Sequence, residues 1–511
     1  MKGKQRFIIL LTVMALSACA VGPDYVKPAV VVPAKYKEAK KHWKVAEPCD
    51  DRDHGPWWEV FHDPQLNRLE SKLMISNQSI AAAVGQYFQA RAQVDEARAA
   101  FYPTFGTTVS LMRQKNVSTS NSSSNGSSTV SSSGSSTASS AASSTFATTT
   151  TTPTGSGAFS TGGPATSHSL QFNASWEPDI WGNVRRTVEA SADNAQASAA
   201  TLAALRLSSQ SMLAQMYFQL RALDNDQKIL DDTVKQYKGI VKYTKNRYVA
   251  GVAAESDMLL AKTQLETAES AAINNGILRA QYEHAIAVLI GIPPANLKIA
   301  AIPCPQRPPV VPLEVPSKLL ERRPDVASAE RLMAQANAQI GIAVSAYFPT
   351  LTLSGTSDVT QPGFAKWFSI PAMSWALGAQ FTDLIFDGGL RSATVTAARA
   401  NFDATVGTYR QTVLTAFQNV EDNLVSLRTL KAQAKVQDQA ARDAERALKI
   451  VLNQYLAGTA DYNAVLVAQY TALSAVKTAS DVHGLQMTAA VGLITALGGG
   501  WDVAAIAGAA G

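Results

Sequence analysis

The chain has 511 residues, a formal net charge of +5, three cysteines and six histidines. So small a charge excess, with no interleaving of basic and aromatic residues, argues against a nucleic-acid partner. There is no CxxC, no HExxH or other metal-ligand spacing, no nucleophile elbow and no phosphate-binding glycine loop, so neither an enzyme nor a metal or cofactor site is expected.

The N-terminus reads as an export signal. Lys2, Lys4 and Arg6 precede a ten-residue apolar run, Phe7 to Leu16, which is too short to span a bilayer. It ends in Leu16-Ser17-Ala18-Cys19, a lipobox. The expectation is a signal peptide over 1–18 and a mature chain whose Cys19 carries a diacylglycerol and an N-acyl chain (palmitate among the candidates). Cleavage as an ordinary signal peptide near Ala18 is the alternative. Ala20 carries no acidic retention signal, which favours the outer membrane. No later run of about 18 apolar residues offers a transmembrane helix.

Residues 19–62 read as an anchor and extended N-terminal segment. Two copies of one plan follow, 63–301 and 317–498, separated by a Pro-rich linker over 302–316 and closed by a tail over 499–511. Pro103-Thr104-Phe105 reappears as Pro349-Thr350-Leu351. Trp181-Gly182-Asn183-Val184-Arg185 reappears as Asp387-Gly388-Gly389-Leu390-Arg391. Tyr248-Val249-Ala250-Gly251 reappears as Tyr455-Leu456-Ala457-Gly458. Leu289-Ile290-Gly291-Ile292 is set against Leu493-Ile494-Thr495-Ala496.

Each copy runs helix, strand, loop, strand, long helix, turn, helix. Strands are expected over about 104–113, 168–178, 350–356 and 374–383. Leu170, Phe172, Ala174 and Trp176 alternate with polar residues, as do Trp375, Leu377, Ala379 and Phe381. Such strands fit a membrane β-barrel or one buried face of a soluble sandwich. Four strands cannot close a barrel, and open edges cannot sit in lipid, so a barrel needs several chains. Two chains would give eight strands and a filled lumen; three would give twelve and room for a pore. The first copy also carries a long polar tract, in which 25 of the 35 residues from 118 to 152 are Ser or Thr. Such a composition buries too little surface to fold, so a mobile loop is expected over 114–167.

From Val184 to Val249 there is no proline, and Leu220, Leu223, Gln227, Leu230, Val234, Tyr237 and Val241 hold a heptad frame. Val413, Phe417, Val420, Leu424 and Leu427 do the same in the second copy, with polar breaks at Lys431, Asp438 and Glu445. Each long helix ends at a Tyr-x-x-Gly, where glycine lets the helix stop and reverse. Return helices are expected from Ser256 to about Ile290 and from Asn463 to about Leu497. The hairpin tips lie near 251 and 458.

Four motifs together resemble the TolC-like outer-membrane factors, in particular the lipoprotein branch that serves drug-efflux pumps. They are the start Cys19-Ala20-Val21-Gly22-Pro23-Asp24-Tyr25, the Trp57-Trp58-Glu59-Val60-Phe61 helix opening, Leu319-Leu320-Glu321-Arg322-Arg323-Pro324-Asp325, and Phe386-Asp387-Gly388-Gly389-Leu390-Arg391. The resemblance implies a mixed α and β fold with an internal two-fold repeat. It implies a homotrimer in which a 12-stranded transmembrane β-barrel continues into a 12-helix periplasmic coiled-coil α-barrel. It implies localisation in the outer membrane, lipid-anchored with a large periplasmic extension, against outer-membrane lipid. The partners implied are a periplasmic adaptor protein and an inner-membrane transporter. The function implied is that of a passive exit duct of a tripartite efflux pump for small molecules such as drugs. A channel for type I protein secretion is the alternative, and it shares the fold.

The resemblance also suggests sites. Gly251, Val252, Gly458 and Thr459 are the adaptor-contact candidates. Arg247, Tyr248, Asp257, Tyr455, Asp461, Asn463 and Val467 are candidates for a periplasmic gate. Two closures stand side by side: tyrosine hydroxyls tied to Asp257 and Asp461 with help from Arg247, or packing around Asn463 and Val467. The family's acidic ring is missing at Asn463 and Val467, whereas Asp257 matches an acidic family position. Cys49 and Cys304 form a candidate disulfide, since these segments lie near the tunnel waist in the family.

Overall fold

The computed structural model describes residues 20–30, 33, 36–38, 56–114, 117–119, 159–161, 165–302, 308–309, 323–361 and 373–499. The chain divides into two units, one helical and one built of strands.

The helical unit contains α1 (Pro64–Ser76), α2 (Gln78–Ala99), α3 (Asn183–Val249), α4 (Glu255–Leu289), α5 (Pro324–Ser345), α6 (Leu390–Leu456) and α7 (Tyr462–Ala496). Both long helices have 67 residues and both return helices have 35. At 1.5 Å per residue, α3 and α6 are each about 100 Å long. No described helix is long and apolar enough to cross a membrane.

The second copy lies 207 positions after the first (390 against 183, 496 against 289), without a gap from the start of the long helix to the end of its return helix. This corrects the pairing of Leu289–Ile292 with Leu493–Ala496. The terminal turns that match are those closed by Gly291 and Gly498, whose amides donate to Val288 O and Thr495 O. The repeated Leu-Ile pair misled because both helices end in apolar residues.

Both long helices start over a carboxylate. Asp179 accepts from the Val184 amide and from Arg185 Nε at 3.0 Å. Asp387 accepts from the Gly389 amide and from Arg391 Nε at 2.7 Å. A negative charge suits the positive end of a helix, and the arginine neutralises it.

The heptad frame of α3 is buried or half-buried at every position from Leu220 to Val241. In α6 the polar breaks at Lys431, Asp438 and Glu445 do not interrupt the seam. The apolar row continues through Ala434, Ala441, Leu448 and Tyr455, and its neighbour moves one residue back, to Leu430, Gln437, Ala444 and Val451. A straight helix drifts about 20° per heptad, so a buried stripe that follows it must change columns. Asp438, left beside the seam, meets His483 Nε2 of α7 at 2.9 Å.

Three buried clusters hold the unit. Leu66, Leu73, Leu213, Tyr217, Phe218, Ile286 and Met487 form the largest. Tyr36, Val326, Met333, Tyr409, Val413 and Leu424 form a second. Ala261, Tyr455, Tyr462 and Val465 form the third, beside the hairpin turns. The start motif is built into the unit as well. Val21 N donates to Trp181 O, Arg186 meets Asp24 at 2.9 Å, Asn337 Nδ2 donates to Pro23 O, and the Tyr25 hydroxyl donates to Glu330 at 2.7 Å.

The strand unit holds β1 (Thr104–Gln114), β2 (Val117–Thr119), β3 (Phe159–Thr161), β4 (Ala165–Trp176), β5 (Thr350–Gln361) and β6 (Met373–Thr382). The order β1-β4-β5-β6 makes one antiparallel sheet, in which each copy supplies a hairpin and β4 pairs with β5. β2 and β3 pair as a short ribbon. This corrects the expectation of a loop over 114–167: Val117–Thr119 and Phe159–Thr161 pair with each other across the Ser/Thr-rich stretch. Residues 120–158, which hold all of that tract but Ser118 and Thr119, lie outside the described residues, as do the signal peptide, Cys19, Cys49 and Cys304.

Candidate functional site

Two features can serve transport: the two faces of the sheet and the hairpin tips. The register decides the faces. Phe105 pairs with Ala174, Val109 with Leu170 and Leu170 with Val359. Leu353 pairs with Ala379, Gly355 with Leu377 and Leu351 with Phe381. Side chains alternate along a strand and align across it, so these apolar residues all share one face. Gly106, Asn173 and Thr356, Thr108, Gln171 and Asp358, and Thr104, Ser175 and Ser354 share the other. Most of the apolar face is open: Phe105, Leu377 and Trp375 are 80%, 79% and 72% exposed, whereas Val359 is buried. A sandwich would cover this face with a second layer, and no described part of the strand unit does so. β1 and β6 have no further strand partner among the described residues. An uncovered apolar face, a polar reverse and two unpaired edges are the makings of a lipid-facing barrel wall.

At the tips, both turns close as Schellman motifs. Gly251 and Gly458 have φ of +74° and +76°, which only glycine adopts without strain. Val252 N donates to Arg247 O at 3.0 Å and Thr459 N donates to Gln454 O at 2.9 Å. Thr459 Oγ1 also reaches Gln454 O. Gly251, Val252, Gly458 and Thr459 are all exposed.

Above the turns, Arg247 and Tyr455 come together. Arg247 Nη1 donates to Tyr455 O at 3.2 Å, and its guanidinium lies 5.0 Å from the centre of the Tyr455 ring. Two residues that the sequence reading did not single out complete the cluster. Tyr243 packs edge-on to Tyr455 and donates to Leu456 O at 3.2 Å. Tyr462, at the first turn of α7, packs edge-on to Tyr455 from the other side. Their aromatic type near a repeated Tyr-x-x-Gly was the available signal.

The polar tie is not formed within one chain. The Tyr455 hydroxyl is buried and has no hydrogen-bond partner among the described residues. Burial pushes its pKa up, Arg247 opposes the rise, and the Asp257 carboxylate adds to it through space. Tyr248 is exposed and stands outside the cluster. Asp461 does other work: it caps α7, accepting from Ala464 N at 3.0 Å. The packing alternative is not realised within a chain either. Asn463 and Val467 are exposed and line a groove of about 540 Å³ with Ala444 and Val451. Of the two closures, only packing through the exposed Asn463 and Val467 is open to a second copy, since the Tyr455 hydroxyl is enclosed by its own chain. Among the described residues no His, Cys, Asp and Glu group is placed to hold a metal.

The chain combines an antiparallel sheet that has one apolar and one polar face with a set of long helical hairpins. The family model for outer membrane efflux proteins matches residues 69–292 and 315–499, and the chain belongs to that family. It is 29% identical over 499 residues to the pyoverdine export outer membrane protein OpmQ of Pseudomonas aeruginosa, covering 96% of this chain and 95% of that protein. It is 26% identical over 501 residues to the toluene efflux pump outer membrane protein TtgC of Pseudomonas putida, covering 98% and 96%. Among solved structures, the outer-membrane channel OprN superposes with a TM-score of 0.80 at 26% identity, over 94% of this chain and all of that one. The protein is therefore an outer-membrane efflux channel component and not an enzyme.

Proposed function

We propose that three copies close their sheets edge to edge, β1 of one against β6 of the next, into a twelve-stranded barrel across the outer membrane. The observation that carries this is the register, which puts the large apolar strand residues from Phe105 to Phe381, Met112 excepted, on one face and leaves both edges without a further strand partner among the described residues. Strands of 10 to 12 residues, tilted by about 45°, match the apolar band of such a barrel. The helical hairpins of three chains then supply twelve helices for a periplasmic tunnel.

In this reading the duct is passive and an inner-membrane transporter supplies the energy. A periplasmic adaptor docks at the exposed turns Gly251–Val252 and Gly458–Thr459. A diacylglycerol and an N-acyl chain on Cys19 anchor the chain in outer-membrane lipid; the docked segment from Val21 to Tyr25 supports this, because it holds the residues just after Cys19 against α3 and α5. The named exports of the relatives, pyoverdine and toluene, favour small molecules as cargo. The test is native mass measurement in detergent together with conductance in planar bilayers. A trimer that opens stable pores is expected; a stable monomer without conductance would overturn the barrel.

A further inference from the structure

Outer-membrane channels select ions through whatever fixed charge lines the lumen, and a ring of one sign biases permeation toward the opposite sign. The polar face of this sheet is almost free of charge. It carries Thr104, Thr108, Ser110, Ser169, Asn173, Ser175, Thr356 and their neighbours in register. Among the described strand residues of that face, Asp358 alone is ionisable.

Asp358 sits in a defined row. It pairs with Gln171 on one side and Ser374 on the other, and Gln171 pairs in turn with Thr108. Thr360, two residues on and on the same face, donates to Asp358 Oδ2 at 2.7 Å. That bond steadies the carboxylate without neutralising it, since a hydroxyl carries no counter-charge. No described cation shares the face. Arg113 falls on the opposite one, paired with Thr166.

We propose that Asp358 is the charge filter of the barrel lumen, one carboxylate from each of three chains forming a single acidic ring that favours cationic permeants over anionic ones. The proposal rests on the trimeric barrel above. It concerns the barrel and is independent of the hairpin tips. A ring of three charges in a wide, water-filled bore acts at a distance, so it should be felt where the Debye length is about 30 Å, near 0.01 M salt. It should be screened out where that length is about 3 Å, near 1 M salt.

The test is the reversal potential of the purified full-length channel in planar bilayers under a KCl gradient. Asp358→Asn keeps the shape and removes the charge. It should lower the potassium-to-chloride permeability ratio by about twofold at low salt, and Asp358→Lys should lower it further. Gln171→Asp adds a second carboxylate to the same row and should raise the ratio. In 1 M KCl all four channels should have equal conductance. Equal reversal potentials at low salt in conducting wild-type, Asp358→Asn and Asp358→Lys channels would overturn the filter. Failure of the wild type to open any pore would overturn the barrel itself.

Discussion

Tyr217 and Asp63 are joined by a 2.7 Å hydrogen bond that ties the middle of α3 to the first turn of α1. The same carboxylate caps α1 through Gln65 N and Leu66 N, and it meets Arg221 Nη2 at 3.1 Å. Arg221 is buried and also donates to Ile302 O. One carboxylate therefore serves a helix cap, a phenol and a buried guanidinium. Asp63→Ala would strand Arg221 and should destabilise the fold by about 3–5 kcal/mol, read as a lowered Tm in detergent.

The same residue sets a pH dependence. Burial works to raise the Asp63 pKa, but hydrogen bonds from Tyr217, Gln65, Leu66 and Arg221 outweigh it and hold the group below the usual carboxylate range. A carboxylate depressed in the fold contributes stability above its unfolded pKa of about 4 and loses it as pH falls through the folded value. Melting curves should therefore drop below about pH 4 in the wild type. In Asp63→Ala that acid drop should be shallower; an unchanged drop would assign it to other groups.

Glu70 predicts the opposite slope. It is fully buried, neither carboxylate oxygen has a hydrogen-bond partner among the described residues, and burial pushes its pKa up to about 9. The folded chain then binds a proton that the unfolded chain has lost above about pH 4. Stability should fall as pH rises between these two values. Glu70→Gln keeps the shape of the neutral acid and removes this term. Its Tm should exceed the wild type's at pH 8, with the gap closing toward pH 5; a constant gap would refute the titration.

Two left-handed glycines should rank by their surroundings. A Cβ at Gly251 would meet nothing within 4 Å, so Gly251→Ala carries only a backbone cost of about 1 kcal/mol. A Cβ at Gly291 would lie 2.0 Å from Ser76 O, where α4 ends beside α1. Gly291→Ala should therefore lower Tm by several times as much. Equal shifts would mean that the α1 contact gives way freely.

Tyr455 separates packing from hydrogen bonding. Its ring fills the cluster with Ala261, Tyr462 and Val465, while its hydroxyl makes no bond within the chain. Tyr455→Phe should leave Tm nearly unchanged, and Tyr455→Ala should cost about 3–5 kcal/mol. A large drop in Tm for Tyr455→Phe would mean that the hydroxyl, and not the ring alone, holds the cluster.

Much of this was legible in the sequence because it depends on local periodicity. The alternation from Leu170 to Trp176 and from Trp375 to Phe381 encodes a two-faced sheet, since side chains alternate on any strand. The heptads around Leu220 and Val413 and the repeated Tyr-x-x-Gly encode long helices that reverse at Gly251 and Gly458. What tertiary structure decided was partnership. Only the register shows that β4 of one copy pairs with β5 of the other, and that Asp358 is the one ionisable residue among the described strand residues of the polar face. Only packing shows that Asp461 serves as a helix cap, that Tyr243 and Tyr462 enclose Tyr455, and that the start motif is held by Arg186 and Glu330. These contacts join residues up to 305 positions apart. Sequence periodicity constrains which face a residue takes, but the identity of its distant neighbour is fixed only when the helices and strands pack.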